Sequence, residues 1–190
     1  MKGPAGDWSV GLCGGMVLAA ADYWAAGRLP PSTTEAPAPA SPLGRYLVRR
    51  QCDSLQLPAG ALRYLALMHP VVPPAALDAL MARRYWPALR SELDAGRLCP
   101  LGLVMTRSAL PWQAFRHHQV LAWAQRSEGD SVVVSVYDPN RPGDDCVALV
   151  RDAAGRVHLD GGGQRQEVIA FLPTSWRPRV PPVDRGTPWR

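Results

Sequence analysis

The chain has 190 residues, of which 47% are apolar, so it is long enough for one compact domain with a core. Its apolar runs end before the ~20 residues that a bilayer span requires. No continuous apolar segment of signal-peptide length precedes Cys13 in this sequence. The net charge of +5 comes from scattered arginines, without a basic run that has interleaved aromatics. We therefore expect no nucleic-acid partner, no membrane span, and a protein that is cytoplasmic or exported without a cleaved signal peptide.

The first half of the chain is predicted to be helical. Residues 14–26 form an alanine-rich helix that Gly27 should end. Residues 28–42, RLPPSTTEAPAPASP, are too rich in proline for a helix or a strand, so they should form a loop or a flap. Three or four helical pieces follow between residues 43 and 96. The predicted breaks are Pro58, Pro70, Pro73, Pro74 and Pro87.

From Cys99 the apolar pattern becomes that of β-strands. Strands are predicted over residues 99–105, 118–125 and 131–138, and the last two flank the turn RSEGD. CVALVRD and RVHLD form a second hairpin, GGG is a turn, and EVIAFLP is the final strand of an antiparallel meander. Helices followed by antiparallel strands indicate an α+β fold. We assign residues 1–176 to one domain and expect residues 177–190 to be a flexible tail.

The hairpin of the second and third strands brings two polar residues to its open end. Directly opposed residues of an antiparallel pair have a constant index sum, so a turn centred on Glu128 places His118 opposite Asp138. The same register puts Val120 beside Val136 on one apolar face. Opposed Cβ atoms are ~5 Å apart, close enough for a carboxylate to hold an imidazole N–H. Such a pair fixes the tautomer of the ring and leaves its other nitrogen as a base.

The cysteines offer one candidate nucleophile for this pair. They show no CxxC motif and no zinc spacing, and we expect four free thiols, three of them buried. Cys13 differs because it opens the first predicted helix, where backbone N–H groups and a nearby imidazolium favour a thiolate. The flanking glycines, Gly14 among them, leave the sulfur accessible to a substrate. The sequence therefore predicts nucleophilic catalysis by Cys13.

Three motifs together resemble the papain-like cysteine peptidase superfamily: GLCGGM at a helix start, HHQVLAWA in a strand, and VYDPNRPG after it. They are most similar to the bacterial branch of bacteriocin-leader-processing, double-glycine-type peptidases. The resemblance covers roughly residues 11–27 and 99–143. It implies a papain-like fold in which Cys13 is the nucleophile, His118 the general base and acid, and Asp138 the orienting carboxylate. It also implies cleavage of a peptide or isopeptide bond of a peptide or protein substrate through a thioester, without metal or cofactor.

One position departs from the pattern of this superfamily. Papain-like enzymes usually carry a glutamine six residues before the nucleophile, where its amide completes the oxyanion hole; here that residue is Asp7, an acceptor. Trp8, a backbone amide or Gln119 are the candidate replacements. Losing one such donor costs ~3 kcal/mol in the transition state. A catalytically impaired fold that acts as a binding module is therefore one alternative, and acyl or amide transfer by the same triad is another.

Several roles stay open at the level of the sequence. His117 lies one strand position away, on the opposite face, and is an alternative base. Asp138 precedes proline, so it could also simply begin a turn. Trp112, in the loop before His118, is either a core anchor or the rim of a substrate groove. We expect substrate contacts from Gly14, Gln119 and Trp112, whereas Asp22 and Tyr23 look like ordinary surface and interface residues.

Overall fold

The computed structural model describes residues 11–31 and 35–183 and shows an α+β protein, as predicted. Helices form the first half of the chain and a curled antiparallel sheet of seven strands follows. The helices are α1 (Cys13–Ala25), α2 (Pro42–Leu55), α3 (Ala59–Met68), α4 (Pro74–Leu80) and α5 (Trp86–Asp94). The strands are β1 (Cys99–Val104), β2 (His118–Glu128), β3 (Ser131–Tyr137), β4 (Ala148–Arg151), β5 (Val157–Gly161), β6 (Gln164–Glu167) and β7 (Ala170–Pro173).

The ends of the first two helices follow from local sequence signals. Gly27, with a φ of +64°, ends α1: its N–H donates to the carbonyl of Trp24, and the N–H of Arg28 donates to that of Tyr23. This is the hydrogen-bond pattern that a left-handed residue after a helix produces, and it confirms the predicted stop. The described residues between α1 and α2 form neither helix nor strand, as expected. Ser41 caps α2 by accepting a hydrogen bond from the N–H of Gly44 at 3.0 Å.

One of the predicted helix breaks is wrong, because Pro87 does not interrupt its helix. Residues 81–85 form a π-helical turn that joins α4 to α5, and the N–H of Trp86 donates to the carbonyl of Met81. A proline has no N–H and its ring crowds the preceding turn of a regular helix. The π turn changes the backbone path just before Pro87. Pro87 is therefore accommodated in the first turn of α5.

The sheet has the strand order β6-β5-β4-β3-β2-β1-β7. Strands β1 to β6 therefore form a meander, and β7 lies beyond β1, at the edge of the sheet opposite β6. The prediction of one final strand, EVIAFLP, is wrong in two respects. Its first residue ends β6, which we did not predict, and β7 pairs with β1 instead of with its neighbour in sequence. Alternation within EVIAFLP carries no information about which edge it joins.

The register of the β2–β3 hairpin also differs from the prediction. The turn is tighter than expected, so Glu128 pairs with Ser131, and a bulge between Ala122 and Ala124 shifts the register again. At the open end Ala122 is opposite Val136, two residues away from the predicted partner. Because the shift there is an even number of residues, the predicted side-chain face is unchanged.

Two groups of buried side chains attach the helices to the sheet. Val17 and Ala21 of α1 pack with Leu121 of β2. The larger core combines side chains of α3 to α5 with those of the strands, including Val120 and Ala122 of β2. Since consecutive residues of a strand point to opposite faces, α1 covers the face of β2 that carries Leu121.

Residues 177–183, the described part of the predicted flexible tail, lack regular secondary structure and form hydrogen bonds with α1. The hydroxyl of Tyr23 donates to the carbonyl of Pro182 at 2.9 Å. The N–H of Arg179 donates to Oδ1 of Asp22 at 2.9 Å. This part of the chain is therefore held against α1 by main-chain hydrogen bonds, while the rest of the predicted tail, 184–190, lies outside the described residues.

Asp22 is fully buried, which contradicts its interpretation as a surface residue. Its carboxylate lies 2.7 Å from Nε of Arg50, itself only 2% exposed, and accepts a hydrogen bond from the hydroxyl of Tyr46 at 2.6 Å. The partners come from α2, so the sequence of α1 alone gives no sign of this buried ion pair. Together with the contact to Arg179, it joins α1, α2 and the C-terminal segment.

Candidate active site

Cys13 is the first residue of α1, and its side chain is half-buried. The preceding Leu12 provides no side-chain cap for the helix. α2 supplies one acceptor instead, because the N–H of Gly15 donates to Oε1 of Gln51 at 2.7 Å. Within the described residues, the N–H groups of Cys13 and Gly14 have no acceptor. Backbone N–H groups at a helix start carry a positive partial charge, and those of α1 lie beside the sulfur of Cys13.

His118 begins β2 and is 9% exposed. Its Nε2 lies 2.7 Å from Oδ1 of Asp138, and the ring also interacts with the side chain of Cys13, which contributes to its pKa. Since Nε2 is engaged with the carboxylate, Nδ1 is the nitrogen left for the thiol. Burial by itself would lower the pKa of His118, but the hydrogen bonds and the negative charges of Asp138 and Cys13 raise it to about 9. The ring is therefore protonated at neutral pH.

Asp138 follows the last residue of β3 and is 2% exposed. Burial favours its neutral form, but the hydrogen bond to His118, its charge, and the N–H of Asn140 keep the pKa of Asp138 below its ordinary value. That N–H donates to Oδ1 at 2.8 Å, and the N–H of Arg141 donates to the carbonyl of Asp138 at 2.9 Å. Both interpretations of the Asp-Pro motif are thus correct here: Asp138 begins a turn and also fixes the imidazole.

The structure brings Cys13, His118 and Asp138 together although the predicted register is wrong. With Ala122 opposite Val136, Asp138 is a diagonal neighbour of His118 and not its direct partner. Diagonal side chains on one face remain within reach of long or ring-shaped groups. The pairing therefore depends on the shared face, which the alternation of side chains determines correctly.

Gln119 and Gly14 meet beneath the N-terminus of α1. Both are buried, and Nε2 of Gln119 donates to Oγ of Ser54 at 3.3 Å. A Cβ on Gly14 would lie 2.6 Å from Nε2 of Gln119 and would overlap Oγ of Ser54. The absence of a side chain at position 14 thus allows α2 and β2 to approach the start of α1. The substrate contacts that we predicted for Gly14 and Gln119 stay predictions.

A neighbouring group of residues was missed by the sequence analysis. Tyr64 of α3 is 7% exposed, and its ring stacks on that of His117 at a centroid distance of 5.7 Å. Its hydroxyl reaches β1 at Gly102, where a Cβ would overlap Oη. Tyr64 lies in an ordinary apolar helical pattern, RYLALM, so nothing in the sequence distinguishes it from a core residue.

His117 is separate from the contacts of His118. Its Nδ1 accepts a hydrogen bond from the N–H of Met105 at 3.3 Å, and burial lowers its pKa to about 4. The ring is neutral at physiological pH and packs against Tyr64. Asp138 therefore pairs with His118, and the alternative in which His117 takes that carboxylate does not fit the structure.

The remaining predicted residues lie elsewhere. Trp112 is in a short 3-10 helix, Pro111–Arg116, and is 61% exposed, so it is not a core anchor. Asp7 and Trp8, the positions that bear on the oxyanion hole, lie outside the described residues. All four cysteines are free, as predicted, but Cys52 and Cys146 are exposed and not buried.

Among residues 11–31 and 35–183, no three His, Cys, Asp or Glu side chains come together as a metal site would require. None of the helices in these ranges is long and apolar enough to cross a bilayer.

No family model, curated protein or solved structure matches this chain. The chemistry of the site is therefore argued from its own geometry. A thiol at a helix N-terminus, beside an imidazolium held by a carboxylate, is equipped to attack an electrophilic carbon and to carry the proton of the reaction.

Proposed function

We propose that the chain is a papain-like thiol hydrolase that cleaves a peptide or isopeptide bond through Cys13, His118 and Asp138. The observation that carries this proposal is the arrangement around His118, whose Nε2 lies 2.7 Å from Oδ1 of Asp138 and whose pKa is raised by both Asp138 and Cys13. The order of the chain supports it as well, since a helix that begins with the nucleophile precedes an antiparallel sheet that carries the ring and the carboxylate.

The reaction uses the thiolate and the imidazolium as a pair. The sulfur of Cys13 attacks the carbonyl carbon, and the carbonyl π electrons move to the oxygen to form an oxyanion. His118 donates its proton to the amide nitrogen as the C–N bond breaks, which releases an amine and leaves a thioester. His118 then removes a proton from water, the hydroxide attacks the thioester, and the C–S bond breaks to release a carboxylic acid. Asp138 orients the ring and stabilises its charge throughout.

The reactivity of the cysteines tests this proposal within one molecule. Cys52 and Cys146 are more exposed than Cys13, so accessibility alone predicts that they react first with an electrophile. An ordinary thiol ionises near ~8.5 and is mostly protonated at pH 7, whereas a thiolate paired with an imidazolium reacts at this pH. We expect iodoacetamide at pH 7 to alkylate Cys13 at least ~10-fold faster than the two exposed cysteines, as measured by peptide mass spectrometry.

Variants identify the source of that reactivity. His118→Asn should reduce the rate at Cys13 to that of an ordinary thiol and leave Cys52 and Cys146 unchanged, while Cys13→Ala should abolish hydrolysis of p-nitrophenyl acetate. Rapid alkylation of Cys52 or Cys146 with Cys13 untouched would contradict the proposal.

The acceptor of the acyl group separates hydrolysis from transfer. With an added primary amine, a hydrolase still releases mainly acid, whereas a transferase releases mainly amide. The binding-module alternative, which Asp7 motivates, predicts that wild type and Cys13→Ala hold a partner equally well and that neither releases product.

A further inference from the structure

The hydroxyl of Tyr64 is a buried group that has no hydrogen-bond partner among residues 11–31 and 35–183. Within the described residues, Oη of Tyr64 neither donates nor accepts a hydrogen bond, and the residue is 7% exposed. Stacking on His117 limits the movement of its ring. Leaving a buried hydroxyl unpaired is unfavourable, so such a group in a folded protein calls for an explanation.

The hydroxyl of Tyr64 occupies the space beside Gly102 of β1 that a side chain would otherwise fill. Any residue other than glycine at position 102 would place its Cβ on Oη of Tyr64. Gly102 pairs with Gln119, the residue after His118, and the amide of Gln119 in turn packs against Gly14, the residue after Cys13. Oη therefore belongs to the same neighbourhood as the proposed nucleophile.

The electrostatics agree with this placement. Burial, and after it the negative charge of Cys13, raise the pKa of Tyr64 above its ordinary value, so the phenol stays protonated and can only lose its proton to a strong acceptor. Its hydroxyl is not hydrogen-bonded to the sulfur. A neutral O–H in the neighbourhood of Cys13, with no partner among the described residues, is available to an oxygen that develops charge beside the sulfur.

Acylation of Cys13 by a substrate requires a hydrogen-bond donor of this kind. The oxyanion that forms on thiolate attack is stabilised by preorganised N–H or O–H groups, and losing one costs ~10²–10³-fold in rate. The start of α1 offers the N–H groups of Cys13 and Gly14, whereas residue 7, where the papain-like pattern has a side-chain donor, is an aspartate.

We propose that Tyr64 is a catalytic residue whose O–H donates a hydrogen bond to the oxyanion formed when Cys13 attacks a carbonyl. This inference rests on the proposed function. A purely structural role, in which the hydroxyl pairs with the buried and equally unpartnered Oε1 of Gln119, is the competing explanation.

Two probes of Cys13 distinguish these roles in Tyr64→Phe. Alkylation by iodoacetamide forms no oxyanion, whereas acylation by p-nitrophenyl acetate passes through one. We expect Tyr64→Phe to leave the alkylation rate of Cys13 within about twofold of wild type and to lower its acylation rate by ~10²-fold or more. The matched control is Tyr46→Phe, which removes a hydroxyl bonded to Asp22 and should change neither rate.

The stability of the variants provides an independent readout. Because Oη of Tyr64 has no partner in the part of the chain that the structure describes, Tyr64→Phe should unfold at the same urea concentration as wild type or a higher one. Tyr46→Phe loses a 2.6 Å hydrogen bond and should unfold at a lower one. A structural pairing of Tyr64 with Gln119 predicts the opposite for Tyr64→Phe, namely lower stability with unchanged acylation.

Each other outcome is decisive. An equal fall of alkylation and acylation in Tyr64→Phe would mean that Tyr64 acts on the thiolate or on folding, and would overturn the inference. Unchanged acylation would overturn it as well. If wild-type Cys13 is alkylated rapidly but never acylated, the proposed function itself fails, and the role of Tyr64 fails with it.

Discussion

Replacing Asp138 with asparagine removes the charge that holds the imidazole but keeps a side chain of the same shape. The rise in the pKa of His118 from its ordinary ~6.5 to about 9 corresponds to about 3 kcal/mol in favour of the imidazolium in the folded state. Since the pKa is raised by folding, this stabilisation is complete below pH ~6.5 and disappears as the pH rises through about 9.

Without the carboxylate, burial still lowers the pKa of His118, and of the two side chains that raise it only Cys13 remains. We expect the NMR titration midpoint of the His118 ring to fall from about 9 in wild type to ~6.5 or below in Asp138→Asn. Urea unfolding should show Asp138→Asn to be less stable than wild type by up to about 3 kcal/mol at pH 6, with the difference shrinking above pH 9. Alkylation of Cys13 at pH 7 should slow in parallel, because the imidazolium that favours the thiolate is lost.

The control is Cys13→Ala, which removes the other side chain that raises the pKa of the ring. It should lower the midpoint less than Asp138→Asn, because Asp138 has the larger effect on the pKa of His118. A midpoint that stays near 9 in Asp138→Asn, or a stability difference that is the same at pH 6 and pH 10, would refute the reasoning.

Two further substitutions test the packing that positions Cys13. Gly14→Ala forces a Cβ into Oγ of Ser54, so we expect a loss of about 1–3 kcal/mol in urea unfolding; adding Ser54→Ala should recover part of it, and no recovery would contradict the overlap. Arg50→Met leaves the buried carboxylate of Asp22 without its arginine and should lower the free energy of unfolding by about 3–5 kcal/mol. Arg49→Met, at an exposed position of the same helix, should lower it by less than about 0.5 kcal/mol. Equal effects of the two substitutions would mean that the ion pair is unimportant.

The fold class and most of the elements could be predicted from the sequence because they depend on local patterns. The helix stop at Gly27 and the alternation in β2 and β3 are properties of neighbouring residues. The position of β7 depends instead on which edge of the sheet is open. Pro87 is tolerated because of a π turn that no local residue pattern predicts. Both are set by long-range packing.

The site shows the same division. The prediction that Cys13, His118 and Asp138 meet needed only a helix start and a shared strand face, so it survived an error of two residues in register. The hydroxyl of Tyr64 could not be found in this way. It comes from a third element, and it is unusual only because the described part of the folded chain gives it no hydrogen-bond partner.

The position of β7 determines when the site can form. His118 lies in the strand next to β1, and the other edge of β1 is closed by β7, the last strand of the sheet. During synthesis, Cys13 therefore leaves the ribosome long before the sheet that positions His118 is complete. Throughout that interval the sulfur lacks its neighbour His118, so any reactivity that depends on the imidazole begins only when the sheet is complete.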